Sequence, residues 1–295
     1  MPVCYNRLAG GMRDLRPSPI AGTWYPGDAE ALARSVDKQL AEAELPPAPG
    51  PVVGLVAPHA GHRYSGGVAA HAFRAVSGMH PETVAVVSPM HHPHPAAVLS
   101  SSHQAYWTPL GEIEIDLERL AAFGAALQRQ SGLKVEPIAR DAEHALEIEL
   151  PFLQRALDGP FRLLPIMLRD QSAAVARAVG GALAEVLADG PALIVASSDL
   201  SHFYPAGTAR ALDGEMLRRL ASFEPESVLQ AEEEGVGFAC GKGAVAAVLW
   251  AARGLGADVV RILRYANSGD VTGDDESVVG YGAAAIYRSA GKSPN

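Results

Sequence analysis

Histidine is the commonest metal ligand near neutral pH, and here its distribution is uneven. Eight of the 10 histidines fall between His59 and His103, the other two are His144 and His202, and none precedes position 59. Several follow directly on apolar runs that read as strands. His59 follows residues 52–57, His91 and His92 follow 83–88, and Asp199 and His202 follow 192–197. Ligands in open α/β sheets bind beyond the carboxyl ends of the strands. Three strand ends therefore deliver imidazoles and a carboxylate toward one edge of a sheet, and a metal site is the sharpest reading of that pattern. Placement leaves His59 and His91 open between that role and an ordinary loop histidine bonded to backbone. For His62, His71, His80, His94 and His103 the loop or helix role is favoured.

Cys240 lies in Phe238-Ala239-Cys240-Gly241-Lys242-Gly243, at the expected start of a helix. A helix N-terminus and a nearby lysine both favour the thiolate, although most free cysteines are small buried thiols. Cys4 sits in an N-terminal segment expected to be mobile and receives no role. Glu143, His144 and Glu147 fall at one-turn spacing in an expected helix. They either orient ligands or simply cap and solvate that helix, and the plainer role is slightly preferred. HExxH, paired CxxC and GxSxG motifs are absent. The glycines of 61–67 fit neither GxGxxG nor GxxxxGK[ST], so nucleotide binding has no motif support.

The elements that must hold these residues alternate. Strands are expected at 52–57, 83–88, 192–197, 259–265 and 278–287. A strand-like run at 161–168 is demoted by Pro165 to an edge or bulge. Helices are expected at 65–76, 117–128, 143–157, 172–187, 208–221, 226–233 and 241–252. Alternation of this kind argues for a single-domain, layered α/β/α fold with a largely parallel central sheet. The expected organisation is a mobile segment 1–17, one domain over 18–288 and a short tail 289–295.

Composition narrows the partners. The 295 residues are 48% hydrophobic and 19% charged, the profile of a chain with a sizeable core. Lys and Arg number 24 against 33 Asp and Glu, a net charge of −9. No basic block is present, so a phosphate backbone is a poor partner and nucleic acid is not expected. Two cysteines do not make a disulfide framework and suit a reducing cytosol. The apolar stretch 243–252 falls well short of the roughly 20 residues a spanning helix needs, and the N-terminus lacks an apolar signal core. A cytoplasmic protein without a membrane partner is expected.

Six motifs, in order and running from about Pro19 to Tyr287, carry a resemblance. They are Pro19-Ile20-Ala21-Gly22-Thr23-Trp24-Tyr25-Pro26, Ala57-Pro58-His59-Ala60-Gly61 with Tyr64-Ser65-Gly66, Ser88-Pro89-Met90-His91-His92, Glu143-His144-Ala145-Leu146-Glu147 with Leu150-Pro151, Ser197-Ser198-Asp199-Leu200-Ser201-His202, and Cys240-Gly241. Together they resemble the Memo family, whose microbial members are also called protein B of the AmmeMemoRadiSam system. That resemblance implies a fold similar to the class III, LigB-type extradiol dioxygenases, which hold non-haem Fe(II) with two histidines and a carboxylate. It further implies a site of two histidines and a cysteine: His59, His91 and Cys240 as metal ligands, with Asp199 and His202 beside them as candidate catalytic groups and His202 in the acid/base position. A functional link to AMMECR-type and radical SAM proteins is implied as well.

Three places depart from the family pattern. His62 stands where tyrosine is usual, Ser88 and Met90 where glycine and serine or asparagine are usual, and Lys242 where arginine is usual. A histidine in that place offers the pocket an added polar group, or even a ligand, as the alternative to the loop or helix role favoured above. A thiolate shifts metal preference toward soft or borderline ions, so iron or copper is the expected metal and zinc the next. The functions implied are a metal-dependent, dioxygenase-like redox enzyme acting on a small organic substrate, or a non-catalytic protein that binds metal or a peptide in the same cleft. A zinc hydrolase fits the ligands but has no motif of its own.

Overall fold

A strand buried on both faces reads as a near-continuous apolar run, and Ala192–Ser197 is one, apolar at every position but its last. The structure, a computed structural model, describes residues 14–289. Its first half comprises β1 (Leu15–Arg16), α1 (Ala29–Glu42), β2 (Val52–Ala57), α2 (His62–Arg74), β3 (Thr83–Pro89), β4 (Val98–Ser101), β5 (Ala105–Thr108), β6 (Gly111–Glu114), α3 (Leu117–Ser131) and β7 (Val135–Ile138). A 3-10 turn (Glu147–Glu149) leads into α4 (Leu150–Ala156), β8 (Arg162–Leu168), α5 (Ala173–Val186), β9 (Ala192–Ser197), β10 (His202–Tyr204) and α6 (Ala206–Ala221). The chain then forms α7 (Pro225–Glu233), α8 (Lys242–Gly254), β11 (Val259–Asn267), α9 (Gly269–Thr272) and β12 (Val278–Tyr287).

Nine strands form the main sheet, in the order β10-β12-β2-β9-β3-β8-β4-β7 with β11 added on β12. The four central strands, β2, β9, β3 and β8, are mutually parallel. Parallel neighbours need a crossover, and α2 and α5 supply two, each skipping one strand. The parallel character is strongest at this centre, because β12 runs antiparallel to β2, β10 and β11, and β4 antiparallel to β8. Side chains alternate between faces, so β9 divides its residues between two cores. Leu193 and Val195 join α1, α2 and α4 on one side. Ile194 and Ala196 join α3, α5, α6, α7 and α8 on the other. The result is the layered α/β/α domain expected.

Pro165 does not make β8 an edge, since β8 lies between β3 and β4. Pairing with β4 reaches only Met167 and Leu168. The Pro165 carbonyl faces the β4 side, where Ser100 Oγ donates to it at 2.7 Å. The missing N–H of Pro165 points the same way, past the end of that ladder, and costs no sheet bond.

The expected single helix over 143–157 is also corrected. Residues 143–146 are irregular, and α4 begins only at Leu150, with a proline in its first turn. Pro151 would clash inside a continuous helix but suits a helix start. The helix α2 starts at His62, three residues before the expected cap at Ser65.

Residues 14–17, expected within a mobile segment, are instead tied down. β1 pairs with β5, and Arg16 is 1% exposed. Its guanidinium donates to both Asp141 oxygens, to Glu147 Oε2 and to the Glu143 carbonyl. Ser289, placed in the expected tail, bonds Asp258 through its N–H. Residues 1–13, with Cys4, lie outside the described residues.

Candidate metal centre

The C-terminal edge of the parallel strands carries the site. His59 lies two residues beyond β2, His91 two beyond β3, and Asp199 two beyond β9. Cys240 arrives from the turn before α8. The turn can reach β9 only because the next residue is glycine: a Cβ on Gly241 would lie 2.4 Å from the Ser197 carbonyl oxygen. One donor atom from each of His59, His91 and Cys240 falls within 4.8 Å of the other two. Cys240 Sγ is 3.0 Å from His59 Nε2. The three residues named from sequence are brought together.

Each imidazole has its other nitrogen engaged. His59 Nδ1 lies 2.9 Å from Ser197 Oγ. His91 Nδ1 lies 2.9 Å from Glu143 Oε1, and Glu143 Oε2 accepts the His91 backbone N–H. Fixing Nδ1 this way orients the ring and directs Nε2 outward as a ligand. Glu143 also accepts the backbone N–H groups of His144 and Ala145. Burial alone would raise its pKa, but these bonds and the His91 imidazole outweigh it and hold the carboxyl at about 2. The ligand-orienting role of Glu143, ranked second from sequence, is the one its geometry fits. Glu147 turns away to Arg16, Ser18 and Tyr25.

His91, Glu143 and His144 form a second close group. Glu143 there is already saturated with N–H donors, so its carboxylate serves to hold His91. His144 packs flat on His91, with ring centroids 4.8 Å apart, and against Trp24 at 4.2 Å. Burial lowers its pKa to about 4.

Asp199 Oδ1 accepts the backbone N–H groups of His59 and Ala60, at 2.7 and 3.3 Å. Its backbone carbonyl accepts the Cys240 N–H. It clamps the β2 and Cys240 loops onto the end of β9. Burial raises its pKa to about 7, against the pull of the two N–H bonds. His202 Nδ1 donates to the Leu200 carbonyl at 2.8 Å. Burial lowers its pKa, so the ring is neutral and presents a bare Nε2. Asp199 and His202 line the same cleft of about 440 Å³ as His59, His91 and His144, with Trp24 and Tyr64 in its wall.

Two expectations change here. Lys242 pairs with Glu232 at 2.9 Å, and the Cys240 thiol is pushed up by burial and then by Asp199, not down. In the metal-free protein Cys240 is therefore a thiol. His62 does not enter the cleft. It is 3% exposed, its Nε2 donates to the Ile148 carbonyl, and it packs between Tyr25 and Phe152. Met90 is buried in the core and Ser88 bonds locally to the Pro89 carbonyl.

Sequence reasoning gave no role to Ser197, Trp24 or Tyr64. Ser197 opens a quoted motif, but nothing local in a serine that ends an apolar strand points to a histidine 138 positions away. Trp24 and Tyr64 lie inside quoted motifs, and large aromatics at 37% and 39% exposure are the kind of residue a cleft wall needs.

With that geometry in place, sequence relatives fix the class. The Memo-like protein family model matches residues 16–285, and the chain belongs to that family. A MEMO1 family protein of Methanopyrus kandleri is 36% identical over 92% of this chain and 99% of its own. One from Methanothermobacter thermautotrophicus is 37% identical over 90% and 98%, and one from Nitrosopumilus maritimus 32% identical over 91% and 98%. An uncharacterized protein from Escherichia coli K12 has a crystal structure that overlays with TM-score 0.47 at 14% identity, over 79% of this chain and 99% of that one. Among the described residues no helix is long and apolar enough to cross a membrane.

Proposed function

We propose that this protein binds a redox-active transition metal through His59, His91 and Cys240 and uses it on a small organic substrate held in the adjoining cleft. The observation that carries the reading is the convergence of three donors while both imidazoles have Nδ1 engaged elsewhere. The donor set fits iron or copper best and zinc next, because one thiolate and two imidazoles are soft to borderline ligands. Three protein ligands leave coordination positions free, where such a metal supplies Lewis-acid or one-electron chemistry.

The protein's own groups complete the site. Glu143 and Ser197 hold the two rings, and Asp199 fixes the loops that bear His59 and Cys240. His202 is within the cleft wall, neutral, and able to take a proton at Nε2 from a bound hydroxyl. Trp24 and Tyr64 offer flat apolar surface for an unsaturated substrate. Elemental analysis of protein purified without a metal-affinity tag, followed by oxygen uptake with planar hydroxylated compounds, tests this reading. Stoichiometric iron or copper with substrate-dependent oxygen uptake supports it, and metal-free protein that takes up none of these ions overturns it.

A second reading is a binding protein that takes a peptide or metal without turnover. It is favoured by the thiol in the position where the dioxygenase resemblance implies a carboxylate. Stoichiometric, inert copper or zinc is its expected result.

A further inference from the structure

Ser197 Oγ has one hydrogen and three close polar neighbours. The Ala145 carbonyl oxygen lies 2.6 Å away, Glu149 Oε1 2.7 Å and His59 Nδ1 2.9 Å. A hydroxyl offers one donor and two acceptor sites. The Ala145 carbonyl can only accept, so the single hydrogen of Ser197 belongs to it. The other two contacts must then be made onto the lone pairs of Ser197, and each partner must bring its own hydrogen. A carboxylate has none, while a neutral carboxyl has one. An imidazole with hydrogen on Nδ1 has a bare Nε2.

We propose that Glu149 is kept as an un-ionised carboxylic acid whose O–H, together with the Nδ1–H of His59, occupies the two lone pairs of Ser197 and holds that hydroxyl in place, so that the Nε2 lone pair of His59 stays aimed at Cys240. Glu149 is a positioning residue. Its purpose rests on the metal reading above, but the arrangement of hydrogens does not.

Three further observations agree. Glu149 is 1% exposed, and its second oxygen is buried without a hydrogen-bond partner. A neutral carbonyl oxygen tolerates that position far better than half of a negative charge does. Burial moves the Glu149 pKa well above the ordinary carboxyl value, and the neighbouring Asp199 carboxyl moves it the same way. Finally, the 3.0 Å contact between Cys240 Sγ and His59 Nε2 needs a hydrogen. The thiol supplies one to the lone pair that this tautomer leaves bare. The hydrogens in the run from Glu149 through Ser197 and His59 to Cys240 can then all be placed, with the thiol hydrogen on His59 Nε2 at 3.0 Å rather than on the Asp199 carbonyl at 3.6 Å.

The test uses the full-length metal-free protein at neutral pH. Nitrogen-15 spectra of the histidine rings, with His59 assigned by a His59→Gln variant, report the tautomer. Infrared difference spectra between wild type and Glu149→Gln report whether an un-ionised carboxyl is lost. The expected result is an Nδ1–H His59 and a lost carboxylic-acid carbonyl band. Glu149→Gln, whose amide N–H replaces the acid O–H, should keep the tautomer. Glu149→Leu removes one donor to Ser197 but leaves its hydrogen on the Ala145 carbonyl, so the Nδ1–H tautomer should persist, while the loosened support of the ring should lower Zn(II) affinity about tenfold or more, a loss that Glu149→Gln should not show. A wild-type His59 protonated at Nε2, a carboxylate band in place of the acid band, or a Zn(II) affinity lowered equally in the Gln and Leu variants would each overturn the proposal. Failure of Zn(II), iron and copper to bind the wild type, with the spectra as expected, would strike the metal reading alone.

Discussion

Cys240 Sγ and His59 Nε2 lie 3.0 Å apart although 181 residues separate them in the chain. One comes from the end of β2, the other from the turn before α8, and that turn closes onto Ser197 at the end of β9 where a Cβ on Gly241 would not fit. A thiol pressed on a neutral imidazole is a donor pair that shares one proton. Once that proton leaves, sulfur and nitrogen both face the same point.

The state of that thiol is directly measurable. Its pKa is raised by burial and by Asp199, so metal-free protein at neutral pH should alkylate at Cys240 more slowly than the unfolded chain does, with the rate climbing steeply at alkaline pH. Metal should suppress the labelling further. Mass spectrometry after iodoacetamide treatment follows both effects. Rapid labelling of the folded metal-free protein at neutral pH would show a thiolate and contradict the geometry.

Glu143 accepts both the ring and the backbone N–H of His91. Glu143→Gln removes the charge and sets an amide NH2 against one of its N–H donors. Metal affinity should drop about 10–100-fold, as for other residues that orient metal-bound histidines. Competition titration against a chelator measures it. Unchanged affinity would mean that His91 needs no support or is not a ligand.

His202→Ala should keep its metal and lose turnover. The ring is held by Leu200 and contributes to the cleft wall, not to the cluster of three donors. Acid–base help of this kind is typically worth about 10²–10⁴-fold. Loss of bound metal in His202→Ala would instead make His202 a ligand.

What sequence made legible follows from locality. The uninterrupted apolar runs marked β2, β9 and β12 at their true bounds, because burial on both faces leaves no room for polar residues. His59, His91 and Cys240 were legible as family motifs, the two histidines also as strand-end positions and Cys240 as the start of a helix. The support around them was not. The contacts of Glu143 with His91 and of Ser197 with His59 join residues 52 and 138 positions apart, and no local period encodes them. Pro151 was the one local warning that residues 143–157 would not form a single helix. The fate of His62 turned on which face of α2 it occupies, and its imidazole went to Phe152 instead of the cleft.

Arg16 stabilises the site from the far side of the Glu143 loop. Its guanidinium is buried with Asp141 and Glu147, at 2.6 and 2.5 Å. Arg16→Met keeps length but leaves two buried carboxylates without their cation, a change that costs about 3–5 kcal/mol. Because Arg16 also donates to the Glu143 carbonyl, metal affinity should fall with stability. Urea denaturation and the same chelator titration test both. A loss below ~1 kcal/mol would mean that the carboxylates find other partners.

His62 should govern part of the acid limb of stability. It is buried and neutral, with its pKa lowered by burial to about 4 despite the bond to the Ile148 carbonyl. The unfolded chain returns it to about 6.5. Above pH 6.5 both states are neutral and the group is silent. As pH falls from 6.5 toward 4 the unfolded state takes up a proton that the folded state refuses, so stability is lost across that window. Between pH 7 and pH 4.5 the loss amounts to about 2–3 kcal/mol. His62→Phe keeps the packing with Tyr25 and Phe152 but strands the Ile148 carbonyl, which costs about 1 kcal/mol at every pH. The variant should therefore be less stable than wild type at pH 7 and more stable at pH 4.5. Other titrating groups, His144 among them, act alike in both proteins and cancel in the comparison. Denaturant midpoints at the two pH values give the difference. Parallel acid limbs for the two proteins would show that His62 is not held neutral.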